Sequence, residues 1–466
     1  MATEEQNECE IYRVIILGRD GTKVLLVPTG DQLALPSVTI LRWQRVAENL
    51  TAAVKSDWGE EVVSLFDAAT GPRANSDVAT YQAAEHLRTC GDPKLPTRWT
   101  PLSALGQDSL IDARDYAAIR HVVGICSGET EGIAVGPFAR LGWFRELRNW
   151  IESVIEPAGF HVNGDFRQLN ASPAFSLVRF ATSGPTVWFK AVGEPNQREF
   201  AITCLLAQLF PEFLPRVLAR RPDWNGWLTR EVPGELLSNI RDRLVWERAA
   251  TALARLQIQS IDHGAQILGA CARDLGSATL SKLIQPFINV VAQLMERQTK
   301  VPPPVLNRKN LLVLADSLHS AVDAMGATGI PETLGHLDLN PGNIVVSNTR
   351  CAFLDWVEAY IGNPFFSLEY LLQHARREFG TSSAIESGIT QAYCAQWGGV
   401  LSPGAIVEAW AFAPLLAVFA YAAGNDAWQQ PERLQEPGTA GYLRSLARRM
   451  HREANELADR RLLCRQ

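Results

Sequence analysis

Residues 335–356 read GHLDLNPGNIVVSNTRCAFLDW. His336, Asp338 and Asn343 crowd together, and the Pro341-Gly342 pair between the last two reads as a tight turn. That turn brings Asp338 and Asn343 to one face of a loop. Ile344-Val345-Val346 then reads as a short strand and Phe353-Leu354 as its hairpin partner. Asp355 stands at the end of that partner strand. As a plain surface turn, NPGN would carry solvated acids. Carboxylates at the edges of apolar runs point instead to chemistry.

The spacing H-x-D-x-x-x-x-N is that of a phosphotransferase catalytic loop. In that role Asp338 accepts the proton of an attacking hydroxyl. Asn343 offers a neutral oxygen to Mg²⁺, and Asp355 holds the same ion against nucleotide phosphates, because Mg²⁺ demands hard oxygen ligands. An upstream pair completes the pattern. Lys190 lies in TVWFKAV, a strand in which a charge is expensive, so it requires a partner. Glu199, in the first turns of the next helix, shares a side with Ile202 and Leu206 and should face inward. Taken singly, the pair reads slightly better as an edge-strand lysine and a helix-dipole glutamate. The order Lys190, Glu199, H-x-D-x-x-x-x-N, Asp355 favours the functional reading.

Outward from this stretch the 466 residues divide into parts. Residues 11–27 hold two apolar runs around Arg19-Asp20-Gly21, a hairpin signal, and a helix-like run follows LALPSVTI. This small α+β unit is expected to occupy 1–124, with a Gly-rich linker over 125–142. Trp143, Leu147, Trp150, Ile151, Val154 and Ile155 recur at helical spacing until Pro157 and Gly159 stop them. Three strands and a helix follow, giving a β-rich lobe over 143–236. A helical lobe over 237–466 carries the catalytic loop. The strand-to-helix junction near 232 is the expected place for a ligand cleft.

Residues 143–466 resemble the aminoglycoside phosphotransferase and choline kinase-like group of small-molecule kinases. HLDLNPGN and FLDWVEAYIGNPFFSL carry the resemblance, being similar to H-G-D-L-x-P-G-N followed by I-D-W-E and G-x-P. The resemblance implies an α+β, protein-kinase-like bilobal fold. It implies Asp338 as catalytic base, Asn343 and Asp355 as metal ligands, and Lys190 with Glu199 at the phosphates. It places Glu231 and Val232 in the hinge that meets adenine through its backbone, and Asn170 and Ser172 in the loop covering the nucleotide. Mg²⁺ and ATP are the implied cofactors, with GTP also open, and the acceptor is a small hydroxylated molecule such as an aminoglycoside, amino alcohol or sugar. There are departures: Leu337 stands where Gly is common, and Ser367 where an Asp often follows G-x-P. No G-x-G-x-x-G occurs in 160–190 and no Walker A motif anywhere.

Residues 11–66 faintly resemble a Nudix domain, with LALPSV and Trp58-Gly59 in register. Gln44, Ala52-Ala53 and Ser56-Asp57 then replace most of its acids, and a Mg²⁺ pyrophosphatase centre cannot be built from what is left. The unit is expected to be catalytically dead, a binding or docking module, with a protein partner as one expectation; an unrelated α+β domain fits as well.

A net charge of -6 speaks against a nucleic-acid partner. The acidic start MATEEQNECE shows no signal peptide, and VEAWAFAPLLAVFAYAAG (407–424) reads as a buried core helix rather than a membrane span, so a cytoplasmic protein is expected. The eight cysteines lack any C-x-x-C and read as buried free thiols; His86 and Cys90, four apart, fall short of a metal site. Glu358, Glu369, Glu378 and Glu386 suit an acidic pocket for a cationic amine or, more simply, a solvated face. His336 reads as structural, and the tryptophans as core. Two further functions stay open beside the kinase: a nucleotide-binding pseudokinase scaffold and a Nudix-type hydrolase.

Overall fold

The computed structural model describes residues 9–68, 80–87, 97–129, 136–380 and 383–463. The chain forms two compact units: 1–200 with 216–231, and 201–215 with 232–466.

The first unit opens with β1 (Cys9–Leu17), β2 (Lys23–Thr29), β3 (Gln32–Ala34), β4 (Ser37–Leu41), α1 (Val46–Trp58), β5 (Val62–Asp67), β6 (Thr80–His86), β7 (Arg98–Pro101) and α2 (Ala113–Ser127). The strands make one sheet in the order β3-β2-β1-β6-β5, with β4 on β1 and β7 on β2. The Arg19-Asp20-Gly21 hairpin forms as expected, with Leu17 opposite Val24. β1 is apolar on both sides because both are covered. Ile15 and Leu17 join one core cluster, while Val14 and Ile16 pack with Leu50, Val54 and Trp58 of α1. Asp57, the surviving acid of the Nudix-like register, is exposed on α1.

The same unit continues with α3 (Trp143–Ile155), β8 (Val162–Ala171), β9 (Ser176–Thr182), β10 (Val187–Ala191), the start of α4 (Arg198–Leu209), β11 (Val217–Arg221) and β12 (Gly226–Arg230). Here the sheet is antiparallel, in the order β11-β12-β10-β9-β8. One apolar cluster runs from Ile15 and Leu17 through Phe138, Phe144 and Leu147 to Phe180, Phe189 and Leu228, so both sheets and α3 share a core. Within 125–142, Phe138 and Ala139 are part of it. The edge strand β5 is closed by a side chain: buried Gln168 accepts from Ser64 N–H at 2.8 Å and donates to Ser64 C=O at 2.9 Å, the bonds a neighbouring strand would supply.

The second unit holds β13 (Glu235–Leu236), α5 (Arg243–Gln259), α6 (Gly264–Gly269), β14 (Arg273–Leu275), α7 (Ser277–Glu296), α8 (Arg308–Ala327), β15 (Thr333–His336), β16 (Ile344–Val346), β17 (Cys351–Phe353), β18 (Ala359–Gly362), α9 (Phe365–Phe379), α10 (Ser383–Trp397), α11 (Pro403–Gly424) and α12 (Pro437–Leu463). Two three-stranded sheets, β13-β16-β17 and β14-β18-β15, interrupt the helices around 335–362. α11 is long and apolar enough to cross a membrane by length and composition. Its apolar faces are instead buried in the core of this unit, Phe412, Leu416, Phe419 and Ala420 among them. The whole is α+β, with the sheet-then-helices order of a protein-kinase-like fold.

Two readings need correction. Among the described cysteines, all free, Cys204 is buried, whereas Cys9 and Cys271 are exposed and the others half-buried. His86 ends a strand rather than lying on a helix, and its Nε2 meets Glu60 at 2.6 Å; Cys90 lies outside the described residues.

Candidate active site

β15 ends in His336, whose backbone pairs with Ala359 of β18. The His336 ring is fully buried. Its Nε2 meets the Leu354 carbonyl at 3.0 Å, and its Nδ1 receives the Asp338 N–H at 3.1 Å. A carbonyl can only accept and an amide N–H only donate, so the ring is neutral with its proton on Nε2. Burial holds its pKa below the ordinary histidine range, against the opposing pull of the Leu354 carbonyl and of Asp338 and Asp355. His336 thereby ties the two acid-bearing segments of this loop together, a structural role as the sequence indicated.

The turn after Asp338 is built by Asn340. Its Oδ1 accepts from Gly342 N–H at 2.8 Å and its carbonyl from Asn343 N–H at 2.9 Å. Asn343 donates its amide Nδ2 to the Asp338 carbonyl at 3.0 Å, which leaves Oδ1 as the outward atom of that amide. The β16–β17 hairpin forms in the expected register, with Ile344 opposite Phe353. Leu354 N–H donates to the Asn343 carbonyl at 2.8 Å, so Asn343 and Asp355 flank one end of the hairpin. Asp355 is left-handed, with φ 63° and ψ 61°, a conformation that Asp and Asn tolerate and most side chains do not. Both are oxygen donors, an amide and a carboxylate, and suit a hard divalent cation.

The Asp338 carboxylate is half-buried. Its Oδ1 takes two long bonds, from Asn340 Nδ2 and from the Tyr370 hydroxyl, each at 3.3 Å. Among the described residues its Oδ2 receives none.

In the first unit, Lys190 Nζ lies 2.5 Å from Glu199 Oε1. Lys190 sits on β10, opposite Leu177 and Trp227. Its side chain is 16 % exposed and that of Glu199 3 %, which makes this a buried pair rather than a surface one. Asn170 is exposed near the end of β8. Ser172 closes the β8–β9 turn: its N–H donates to the Phe175 carbonyl at 2.9 Å and its Oγ accepts from Phe175 N–H at 3.0 Å. That turn is seated on backbone, since Phe138 N–H donates to the Pro173 carbonyl at 3.0 Å and a Cβ on Gly136 would come within 2.0 Å of the same oxygen. Glu231 follows β12 and is held by a two-pronged bond from Arg179, both contacts 2.9 Å; its N–H donates to Thr186 C=O. Val232, half-buried, follows before Pro233.

Residues 194–401 match the phosphotransferase enzyme family. This segment is a phosphotransferase domain. The chain is accordingly an enzyme of phosphoryl transfer, while residues 1–193 lie outside the match. Solved structures similar to the chain include a macrolide 2'-phosphotransferase from Brachybacterium faecium, at 18% identity over 64% of this chain and 98% of that one, TM-score 0.42. A choline/ethanolamine kinase family protein from Mesorhizobium loti shows 17% identity over 67% and 98%, TM-score 0.41. A choline kinase from Cryptosporidium parvum shows 12% over 68% and 97%, TM-score 0.47. No curated protein matches the chain.

Both departures in the phosphotransferase domain are accommodated. The Ser367 hydroxyl accepts the His336 N–H at 2.9 Å, so a serine makes the anchoring bond. Leu337 is buried, and the space its side chain needs comes from Gly424, where a Cβ would stand 2.7 Å from Leu337 Cδ1. All four glutamates are ion-paired to arginines; Glu358, Glu378 and Glu386 are partly exposed, in keeping with a solvated face, and Glu369 is not. Glu358 binds Arg273, Glu378 binds Arg241, and Glu369 and Glu386 share Arg376. Glu369 is buried, which rules out a solvated role for it.

The sequence pattern missed the aromatic surroundings of Asp338. Tyr370 on α9 stacks on Tyr421 of α11, ring centres 5.8 Å apart, and Tyr442 of α12 meets Tyr421 edge-on while donating to its hydroxyl at 3.0 Å. Burial first, and the Asp338 charge second, raise the Tyr370 pKa, so its hydroxyl stays a donor to the carboxylate. The one sequence signal was Tyr370 falling on the inward face of α9 with Phe366.

Proposed function

We propose that the protein is a Mg²⁺- and ATP-dependent kinase that transfers a γ-phosphoryl group to a hydroxyl of a small acceptor. The observation that carries this reading is the hydrogen-bond pattern of the catalytic loop. It holds Asp338 from one side, by Tyr370 and Asn340, and leaves Oδ2 to take the acceptor's proton. Phosphoryl transfer asks a protein mainly for positioning and charge neutralisation. Lys190, fixed by Glu199, would neutralise phosphate oxygens. The β8–β9 turn with Asn170 and Ser172 would cover the nucleotide, and the backbone of Glu231 and Val232 would meet the base. Asn343 and Asp355 would hold Mg²⁺, whose chemistry is to neutralise charge on the phosphates. The acceptor would lie against Asp338 and the Tyr370, Tyr421 and Tyr442 wall.

The test is a transfer screen with the full chain, ATP and Mg²⁺ against amino sugars, macrolides, choline-like amino alcohols and simple sugars, read by ADP release and by ³¹P NMR of the product. The expected result is ADP release that needs both Mg²⁺ and one acceptor class. ATP binding without transfer to any acceptor would sink the kinase and favour a scaffold.

A further inference from the structure

The first unit contains a cavity of about 390 Å³ that the phosphotransfer machinery does not use. Arg19 of the β1–β2 turn, the end of β6, α3 and Val162 at the start of β8 line it. Arg145, Arg148, Asn149 and Glu152 come from α3. Their spacing, i, i+3, i+4 and i+7, puts them on one stripe of the helix. The neighbouring stripe, Phe144, Leu147, Ile151 and Ile155, is buried in the shared core, with Phe144 also at the edge of the cavity. The residues that define α3 in the sequence therefore explain only half of it.

The charges in this cavity are unevenly satisfied. Both carboxylates are engaged by the protein itself. Glu85, 2 % exposed, takes the Gly142 N–H on both oxygens at 2.9 Å. Glu152 takes Val162 N–H and His161 Nδ1, each at 2.8 Å. Arg19, Arg145 and Arg148 make no hydrogen bond or ion pair with the described residues. Their neighbours behave differently: Arg140 and Arg221 both grip Glu146 on the adjoining face of the same helix. Three guanidiniums, each with five N–H donors, thus converge on a concavity with apolar walls at Phe144 and Leu87. Glu85 feels the charges of Arg145 and Arg19, and Glu152 that of Arg148, so the two carboxylates offset part of the positive charge. Three arginines against two acids still leave the lining positive, and a concavity focuses that field.

We propose that this cavity binds a small oxyanion ligand, a phosphate- or carboxylate-bearing metabolite gripped by Arg19, Arg145 and Arg148. Planar guanidiniums match such oxyanions in two-pronged fashion. The volume is that of a small-molecule site. The ligand would touch α3 and the first residue of β8, the strand that leads to Asn170 and the β8–β9 turn. The proposal stands apart from the kinase reading and does not need it.

The test is isothermal titration of the full chain with inorganic pyrophosphate and, separately, with citrate. The proteins are the native chain, Arg145→Ala/Arg148→Ala, and Lys190→Ala, each titrated at a temperature at which its own melting curve shows it fully folded. Binding at one site per chain is expected, tenfold or more weaker in the double arginine variant, unchanged in Lys190→Ala, and weakened by added salt. Pyrophosphate binding alone would assign a phosphate ester, citrate alone a polycarboxylate. If neither anion binds, if the double variant binds as the native chain does, or if Lys190→Ala abolishes binding instead, the site is overturned. A failed acceptor screen with these results intact would count against the kinase and not against this cavity.

Discussion

In the stretch 335–356, His336 spends both ring nitrogens on backbone, Asn343 spends its amide N–H on the Asp338 carbonyl, and one carboxylate oxygen of Asp338 is left over. In the N-terminal sheet three sets of buried polar groups close on one another. Glu60 meets His86, Gln168 brackets Ser64, and Asp115 receives both Arg13 and the Tyr81 hydroxyl. Burial of polar atoms is common to both regions. What differs is whether the network ends on itself or presents an atom to the outside. A closed network specifies packing, and an open one offers a reagent.

Asp338→Asn is the sharpest way to break that contrast. The amide keeps the shape and loses the proton acceptor, so kcat should fall by about 10²–10⁴ with nucleotide affinity unchanged, as read by steady-state kinetics beside calorimetric ATP binding. A variant with near-native turnover would move the base elsewhere. Lys190→Ala tests a closed pair placed for an open purpose. Leaving Glu199 buried without its cation should cost about 3–5 kcal/mol in urea unfolding, and saturating nucleotide should no longer raise the unfolding midpoint. Gln168→Leu probes the closed side. Stranding the N–H and C=O of Ser64 should cost about 2–6 kcal/mol, and the loss should appear in stability while the kcat of the remaining folded enzyme holds. A matching loss of kcat would show the two regions to be functionally inseparable.

The smallest effect concerns His336. Its folded pKa is lowered by burial while the unfolded value stays near about 6.5. The unfolded chain therefore binds the proton first as pH falls, and stability should decline below about pH 6.5 and stay level above it. Urea midpoints at pH 7.5 and 5.5 would measure this, and a His336→Asn variant should show a flatter slope. An equal slope in the variant would assign the decline to other groups.

The loop was legible because its geometry is local. Spacing alone carries Asp338 past a Pro-Gly turn to Asn343 and sets the hairpin register that ends at Asp355. Lys190 and Glu199 were legible because a charge in an apolar strand has few places to go. Tyr370 was not, since its approach to Asp338 depends on how α9 packs. The ion pairs of the glutamates at 358, 369, 378 and 386, and the burial of Glu369, were missed for the same reason: their arginines are Arg273, Arg241 and Arg376, and only the last lies close in sequence to the acids it binds. Residues 136–142 read as linker by composition, yet Gly136 is small because the Pro173 carbonyl occupies the place of its Cβ.

Two unrelated requirements meet at Asp355. Its dihedral angles admit Gly, Asn and Asp at little cost. The proposed metal role asks for a negative oxygen, which Asp and Glu provide. The two sets overlap in a single amino acid. Gly would relax the chain and discharge the site, while Glu would keep the charge and force the backbone. No one-step replacement is neutral on both counts, so the proposed metal role would close drift at this codon.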